Sequence, residues 1–283
     1  PYARFGGSNR AELNLASSSL VTALAYRATP DQSLGISLNT GYQVLSLEGM
    51  EFLASPAVSV APNRVTDQGK DGALTLGYTL GWQGRINPWL SAGLAYRSKN
   101  WTERHKDYKG LISEGGRLEL PAIYGGGITL KPAANWSVVL DVQRYHYRGE
   151  KALRNGIGKL AEGKKLGEKD GPGFGFSDQN AYKLGIAWQA TPALVLRGGY
   201  VRASQIVKPS ETLFGFLGCV TATTQYGIGA TYAMRQWEFT GLVYDVPKQT
   251  VRGKNSIPEA FGGGEANVAD KVSAFGFSIG RRF

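Results

Sequence analysis

Apolar residues alternate with small or polar ones through most of the chain, and turn residues interrupt the alternation at regular intervals. In residues 73–86 (ALTLGYTLGWQGRI), Leu74, Leu76, Tyr78, Leu80 and Trp82 share one face, while Thr75, Gly77, Thr79, Gly81, Gln83 and Arg85 share the other. About eleven such segments recur, at 11–28, 33–47, 71–86, 89–101, 118–131, 137–149, 179–190, 194–205, 221–234, 237–249 and 271–283. Each is close to the ~9–11 residues that a tilted membrane strand requires.

The connections alternate in length. TPDQ (29–32), NPW (87–89), KPAANW (131–136), ATPA (190–193) and MRQ (234–236) are tight turns. Long connections lie near 48–70, 102–117, 150–178, 206–220 and 250–270. A soluble β-sandwich shows no such strict long–short alternation. Short turns on one side and long loops on the other belong to an outer-membrane barrel, with turns in the periplasm and loops outside the cell. The pattern therefore predicts an all-β, antiparallel transmembrane β-barrel, one domain over residues 1–283. Apolar side chains then meet lipid, and small or polar ones line the lumen.

Trp82, Trp89, Trp136, Trp188 and Trp237 sit beside the short turns, where a periplasmic aromatic girdle is expected. The last segment, KVSAFGFSIGRRF, puts Phe275, Phe277, Ile279 and Phe283 on one face and ends on an aromatic. Such an end resembles the signal by which barrel-assembly machinery recognises its clients. Counted back from Phe283, the strand near Ala11 runs inward from the exterior, so an odd count of eleven implies one overlooked strand or absent N-terminal strands. The start at Pro1, with no initiator Met and no apolar h-region, is read as processed or truncated.

Composition narrows the classes further. The chain is 42% hydrophobic and 19% charged, with 6 Trp, 14 Tyr and 11 Phe, which is too aromatic for a disordered segment. No apolar run approaches the roughly 20 residues of a membrane helix. One Cys forms no internal disulfide, and two His, His105 and His146, argue against a His-rich metal site. The net charge of +10 is scattered over loops without a nucleic-acid-binding motif. GIGKLA (156–161) has the glycine spacing of a dinucleotide loop but no preceding strand. No cofactor, metal or nucleic acid is implied.

Residues 171–200 (GPGFGFSDQNAYKLGIAWQATPALVLRGGY), 120–147 (LPAIYGGGITLKPAANWSVVLDVQRYHY) and 256–283 (SIPEAFGGGEANVADKVSAFGFSIGRRF) resemble the long-chain fatty acid transporter family of outer-membrane proteins, which also includes aromatic-hydrocarbon channels. The resemblance runs from PYARFGG to the last residue. It implies a fourteen-stranded barrel closed by an N-terminal plug, through which apolar molecules pass without an external energy source. The plug and first strands would precede Pro1.

A fatty-acid carboxylate needs a cationic partner where water is scarce. Arg85, Arg97, Lys183 and Arg197 share the small/polar face with Asp141, Gln143 and Glu238. Either these opposite charges pair across the barrel interior, or Arg97 and Arg197, with Lys183 nearby, bind a head group. On the lipid face at the midplane each Arg or Lys would cost roughly 2–4 kcal/mol. Two loops add candidates. The 149–178 loop carries Leu153, Ile157, Leu160 and Leu166 among its lysines, spaced either as an amphipathic helix beside an outer capture groove or as a solvated basic loop near lipopolysaccharide phosphates. ETLFGFLGCV (211–220) exposes Leu213, Phe214, Phe216 and Leu217, either to plug the barrel mouth or to line a hydrocarbon groove, with Cys219 as a small buried hydrophobe. Arg144 and His146, at an outer strand end, face lipopolysaccharide.

The reading is an outer-membrane channel that takes up fatty acids or aromatic hydrocarbons by facilitated diffusion, with no enzymatic step. Two rivals remain. One is a general porin or structural or adhesive barrel, and the other is a surface hydrolase built on His105 or His146.

Overall fold

A strand that alternates strictly presents one apolar and one small or polar face, and neighbours in register keep those faces aligned. In the computed structural model, which describes residues 11–214 and 221–281, the strands join into a single antiparallel sheet. They are β1 (Glu12–Thr29), β2 (Gln32–Glu48), β3 (Asp71–Asn87), β4 (Leu90–Arg97), β5 (Trp101–Thr102), β6 (Ile123–Leu130), β7 (Trp136–Tyr145), β8 (Gln179–Thr191), β9 (Leu194–Ala203), β10 (Thr224–Met234), β11 (Trp237–Val251) and β12 (Val268–Arg281). The order is sequential, except that β5 pairs with β3 and β4 pairs directly with β6. β1 and β12 form the two edges of the sheet.

The expected segments meet the strands with several trimmed ends, among them 137–149, which stops at Tyr145 before the turn Tyr147–Gly149. The segment at 118–131 yields β6 only from Ile123, because Pro121 has no N–H to donate to the ladder and Leu118 turns into the loops, buried. The segment at 89–101 stops at Arg97, where Ser98 turns the chain and Trp101–Thr102 returns to β3 as the short β5. β5 is too short to cross a bilayer, which leaves eleven strands long enough to do so among the described residues.

One sheet face is apolar and exposed: Leu20 (71%), Leu74 (59%), Phe275 (87%) and Phe277 (68%) point out, while Thr75 (9%) and Gln43 (0%) on the other face are covered. That excludes a dry core of leucines with polar residues outside, as a soluble sandwich demands. The apolar face ends in two aromatic belts. At the short-turn rim Trp136 stacks on Trp188 with centroids 5.5 Å apart, and Arg281 lies 5.7 Å over Trp237. On the opposite half of the strands, Tyr96–Tyr124 (5.1 Å) and Tyr200–Tyr226 (5.4 Å) are neighbouring pairs on the same face.

The long loops fold over the concave face as a packed cap. Leu45, Leu47 and the partly buried Leu13, from the covered face of β1 and β2, pack with Met50, Leu53, Val65, Tyr108, Ile112, Leu153, Ile157, Leu166, Leu213 and Ile257. Truncating one such buried leucine to alanine costs about 2–5 kcal/mol. Backbone bonds stitch the loops together. The Leu166 N–H donates to Val58 O (2.8 Å), the Val60 N–H to Leu166 O (3.1 Å) and the Ser177 N–H to Ile206 O (2.8 Å). The Tyr108 hydroxyl accepts the Leu47 N–H (3.0 Å) and donates to Gly69 O (2.6 Å), so this buried hydroxyl is satisfied both as acceptor and as donor. Gly173 is required here, because a Cβ would fall 2.1 Å from Ala152 O.

The 149–178 loop forms no long amphipathic helix. It makes two single turns, Lys151–Arg154 and Ile157–Leu160, whose leucines and isoleucine are drawn into the cap. The glycines at 156, 158, 163, 167 and 171 interrupt any longer helix. Three of its five lysines are tied down: Lys151 lies 2.9 Å from Asp170, Lys159 2.5 Å from Glu162, and Lys165 donates to Pro56 O (2.6 Å), while Lys164 and Lys169 stay exposed.

Candidate functional site

Strand register sets the layers of the concave face. Arg97, Ile123 and Tyr145 are successive partners across β4, β6 and β7, and Leu15 partners Leu45 across β1 and β2. These two rows form the floor of a cavity of 330 Å³ beneath the cap. Its walls are Leu13, Leu111, Ile112, Leu118, Leu120, Pro121, Leu153, Phe174 and Phe176, and its polar groups are Arg97, Asn100 and the tyrosine hydroxyls. An aromatic run, Tyr145–Tyr147 (6.2 Å), Tyr147–Phe176 (5.8 Å), Phe174–Phe176 (5.3 Å) and Phe174–Phe214 (6.5 Å), forms one side. An apolar chamber with few convergent polar groups is the ordinary form of a small-molecule site.

Among the described residues the Arg97 guanidinium has no hydrogen-bond or ion-pair partner. Every other cation of the lumen face that the sequence nominated has one. Arg85 pairs with Asp31 (2.5 Å) at the short-turn rim. Lys183 donates to Gln143 Oε1 (2.7 Å), which also accepts the Tyr145 hydroxyl (3.0 Å), and its register partner is Asp141. Arg197 donates to Thr231 Oγ1 (2.6 Å) on the lower wall of β9 and β10. Arg97 and Arg197 therefore do not share a site.

Below the cavity floor the lumen face turns small. Gly35, Gly81, Ala95 and Gly125 are partners in one row across β2, β3, β4 and β6. The next row down carries Gly93, Gly127, Asp141 and Lys183. A groove of 510 Å³ runs along these rows.

The cap is pinned near the cavity by an ionic group whose two carboxylates are buried and whose cation is partly exposed. Lys99 Nζ donates to Glu119 Oε2 (2.6 Å) and Glu150 Oε2 (3.1 Å), linking the segments that follow β4, precede β6 and follow β7. Burial pulls the Lys99 ammonium down, but the bonds to Glu119 and Glu150 outweigh it and its pKa is raised. Burial, reinforced by the neighbouring Glu119, pushes Glu150 up to about 7 against the pull of Lys99. Between the ordinary carboxylate value and about 7 the folded protein holds a proton that the unfolded chain releases, so Glu150 lowers stability as pH rises through that window. Thermal unfolding of the cap is expected to come earlier at pH 8 than at pH 5, and Glu150→Gln is expected to flatten that slope. An unchanged slope in the variant assigns it to another group.

The family profile described as "Outer membrane protein transport protein (OMPP1/FadL/TodX)" matches residues 3–236. The chain belongs to this family. Solved structures agree on the fold. The toluene transporter TodX of Pseudomonas putida superposes with a TM-score of 0.63 at 14% identity, covering 96% of this chain and 70% of that one. For the toluene transporter TbuX of Ralstonia pickettii the values are 0.62, 15%, 99% and 72%. For a Pseudomonas aeruginosa FadL homologue they are 0.63, 13%, 94% and 67%. No curated protein matches the chain.

As an OMPP1/FadL/TodX family member the chain is an outer-membrane β-barrel transport protein, and the membrane face and capped lumen described above are those of that architecture. The remaining nominated residues divide. Leu213 and Phe214 are not exposed; both are buried in the cap, and Phe214 backs the cavity wall through Phe174. Phe216, Leu217 and Cys219 lie outside the described residues, as does Phe283. Among the described residues neither histidine ring is hydrogen-bonded to a hydroxyl or thiol. His105 is fully buried with Nε2 2.9 Å from Gln43 Oε1, and His146 Nδ1 lies 3.1 Å from Asp178. Sequence reasoning missed Asn100, Leu120, Tyr145, Phe174 and Phe176. The spacing of Phe174 and Phe176 in a glycine-rich loop was the available signal.

Proposed function

We propose that the chain takes up hydrophobic small molecules, long-chain fatty acids or aromatic hydrocarbons, by facilitated diffusion. The observation that carries this is the apolar cavity under the cap, whose one cation, Arg97, is unpaired among the described residues. In this reading the apolar body of the ligand lies against Leu118, Leu120, Phe174 and Phe176, a carboxylate head reaches Arg97, and release follows down the glycine-lined groove. The protein performs no chemical step on the ligand. The relatives named as toluene transporters support a neutral aromatic among the cargoes. Lipopolysaccharide around the basic loops and recognition of Phe283 by barrel-assembly machinery complete the set of partners we propose.

Saturable uptake of radiolabelled oleate or toluene into cells producing the protein, with no swelling of liposomes in sugars, is the expected result. Sugar-driven swelling with non-saturable entry of both probes would replace this reading by a general porin.

A further inference from the structure

The membrane face carries a built feature that transport does not use. Two recesses, of 610 and 590 Å³, open on the outward side of β4 and β6–β9 and meet at Leu94, Gly126 and Val142. Leu94 lies over Gly126, where a Cβ would fall 2.8 Å from its Cδ2, and the two recesses open beside that contact. Tyr124 (48% exposed) and Tyr182 (57%) stand on their walls. At the loop side each recess ends in an arginine, Arg144 in one and Arg202 in the other.

The two arginines flank Tyr182. Arg144 partners Asn180 across β7 and β8, and Tyr182 partners Arg202 across β8 and β9. Arg144 donates to Asp178 Oδ2 (2.8 Å) and Asn180 Oδ1 (3.2 Å), and Arg202 donates to Thr224 Oγ1 (2.7 Å). Arg202 has no carboxylate within ion-pair distance among the described residues. A guanidinium carries five N–H donors, so each keeps donors free. Arg148 and Asp178 are the other charged groups at this rim; the Asp178 carboxylate is occupied by Arg144, the His146 ring and the Arg148 N–H. The excess is cationic.

We propose that this surface binds one phosphorylated glycolipid of the outer leaflet, a lipopolysaccharide. Its phosphate lies between Arg144 and Arg202, and an acyl chain lies in the recess bounded by Leu94, Val142 and Tyr182. Charge complementarity selects the occupant. Two arginines above an apolar slot match an anionic head joined to a hydrocarbon tail, and bidentate guanidinium–phosphate bonds are the strong form of that contact. The inference rests on outer-membrane location and not on the transport reading.

The test uses the full-length protein in nanodiscs. Native mass spectrometry should show bisphosphorylated lipid A retained about tenfold or more over its dephosphorylated form, as two charge-assisted contacts imply. Arg144→Gln with Arg202→Gln should abolish that preference, Gly126→Leu should reduce retention of both forms, and uptake of labelled toluene should be unchanged in all. Equal retention of the two lipids by the unmodified protein overturns the proposal without needing any variant to fold. Displacement of lipid A by inorganic phosphate alone also overturns it, because the tail would then contribute nothing.

Discussion

Arg97→Ala is expected to weaken binding of a long-chain carboxylate by roughly 10- to 150-fold, the equivalent of the about 1.5–3 kcal/mol carried by a hydrogen bond to a charged group. Toluene binding should barely change. The asymmetry follows from the layout of the cavity: Arg97 is its one cation, placed in a row between Thr79 and Ile123 at the outer end of β4, while the walls are leucine and phenylalanine. A neutral hydrocarbon gains only from the walls. A carboxylate that loses Arg97 loses a charge-assisted hydrogen bond that the walls do not replace. Arg197→Ala should leave both ligands unaffected, since Thr231 holds that side chain on the lower wall, away from the cavity. Isothermal titration of oleate and toluene with the three proteins in detergent decides the matter. An equal loss for oleate and toluene in Arg97→Ala would reduce Arg97 to a packing residue.

How much of this was legible beforehand depends on which physical signal each feature left in the chain. Alternation reports which side of the wall a residue takes, so the crossing strands, their faces and the tryptophan rim were readable from Leu74, Thr75 and Trp82 onward. Alternation does not report height. Arg97, Lys183 and Arg197 looked equivalent because all three share the lumen face, and only the register separated a residue under the cap from two on the walls below it. The tyrosine belt was hidden for the same reason. The cap left no periodic signal at all. Its core is assembled from isolated apolar residues, among them Leu53, Val65, Ile112 and Leu166, whose loops meet only after the strands bring them together. Leu213 and Phe214 could be given either to a plug of the barrel mouth or to a groove wall, because a loop residue's burial depends on those partners; both are buried in the cap. The triad of Lys99, Glu119 and Glu150, drawn from three loops, was likewise invisible.

Ala95→Trp is expected to cut uptake of both oleate and toluene by about tenfold or more while leaving their equilibrium binding in the cavity intact. Ala95 belongs to the first row beneath the cavity floor, where its partners Gly81 and Gly125 and, beyond Gly81, Gly35 offer no side chain. The space is real: a Cβ at Gly35 or Gly81 would meet only a backbone oxygen at 3.8 or 3.9 Å, and one at Gly125 would sit 3.4 Å from Gln143 Cγ. An indole at position 95 is thus accommodated without moving the strands and occupies the groove that ligand must traverse. Ala92→Trp, on the same strand but facing lipid, supplies the control, with full uptake expected because an interfacial or lipid-facing tryptophan suits that side of the wall. If Ala95→Trp transports at the normal rate while binding normally, the ligand leaves the cavity by a path that avoids the groove, and the small-residue rows serve only to pack the barrel. Loss of binding together with uptake would instead place the ligand lower than Arg97, among Gly93, Gly127 and Asp141.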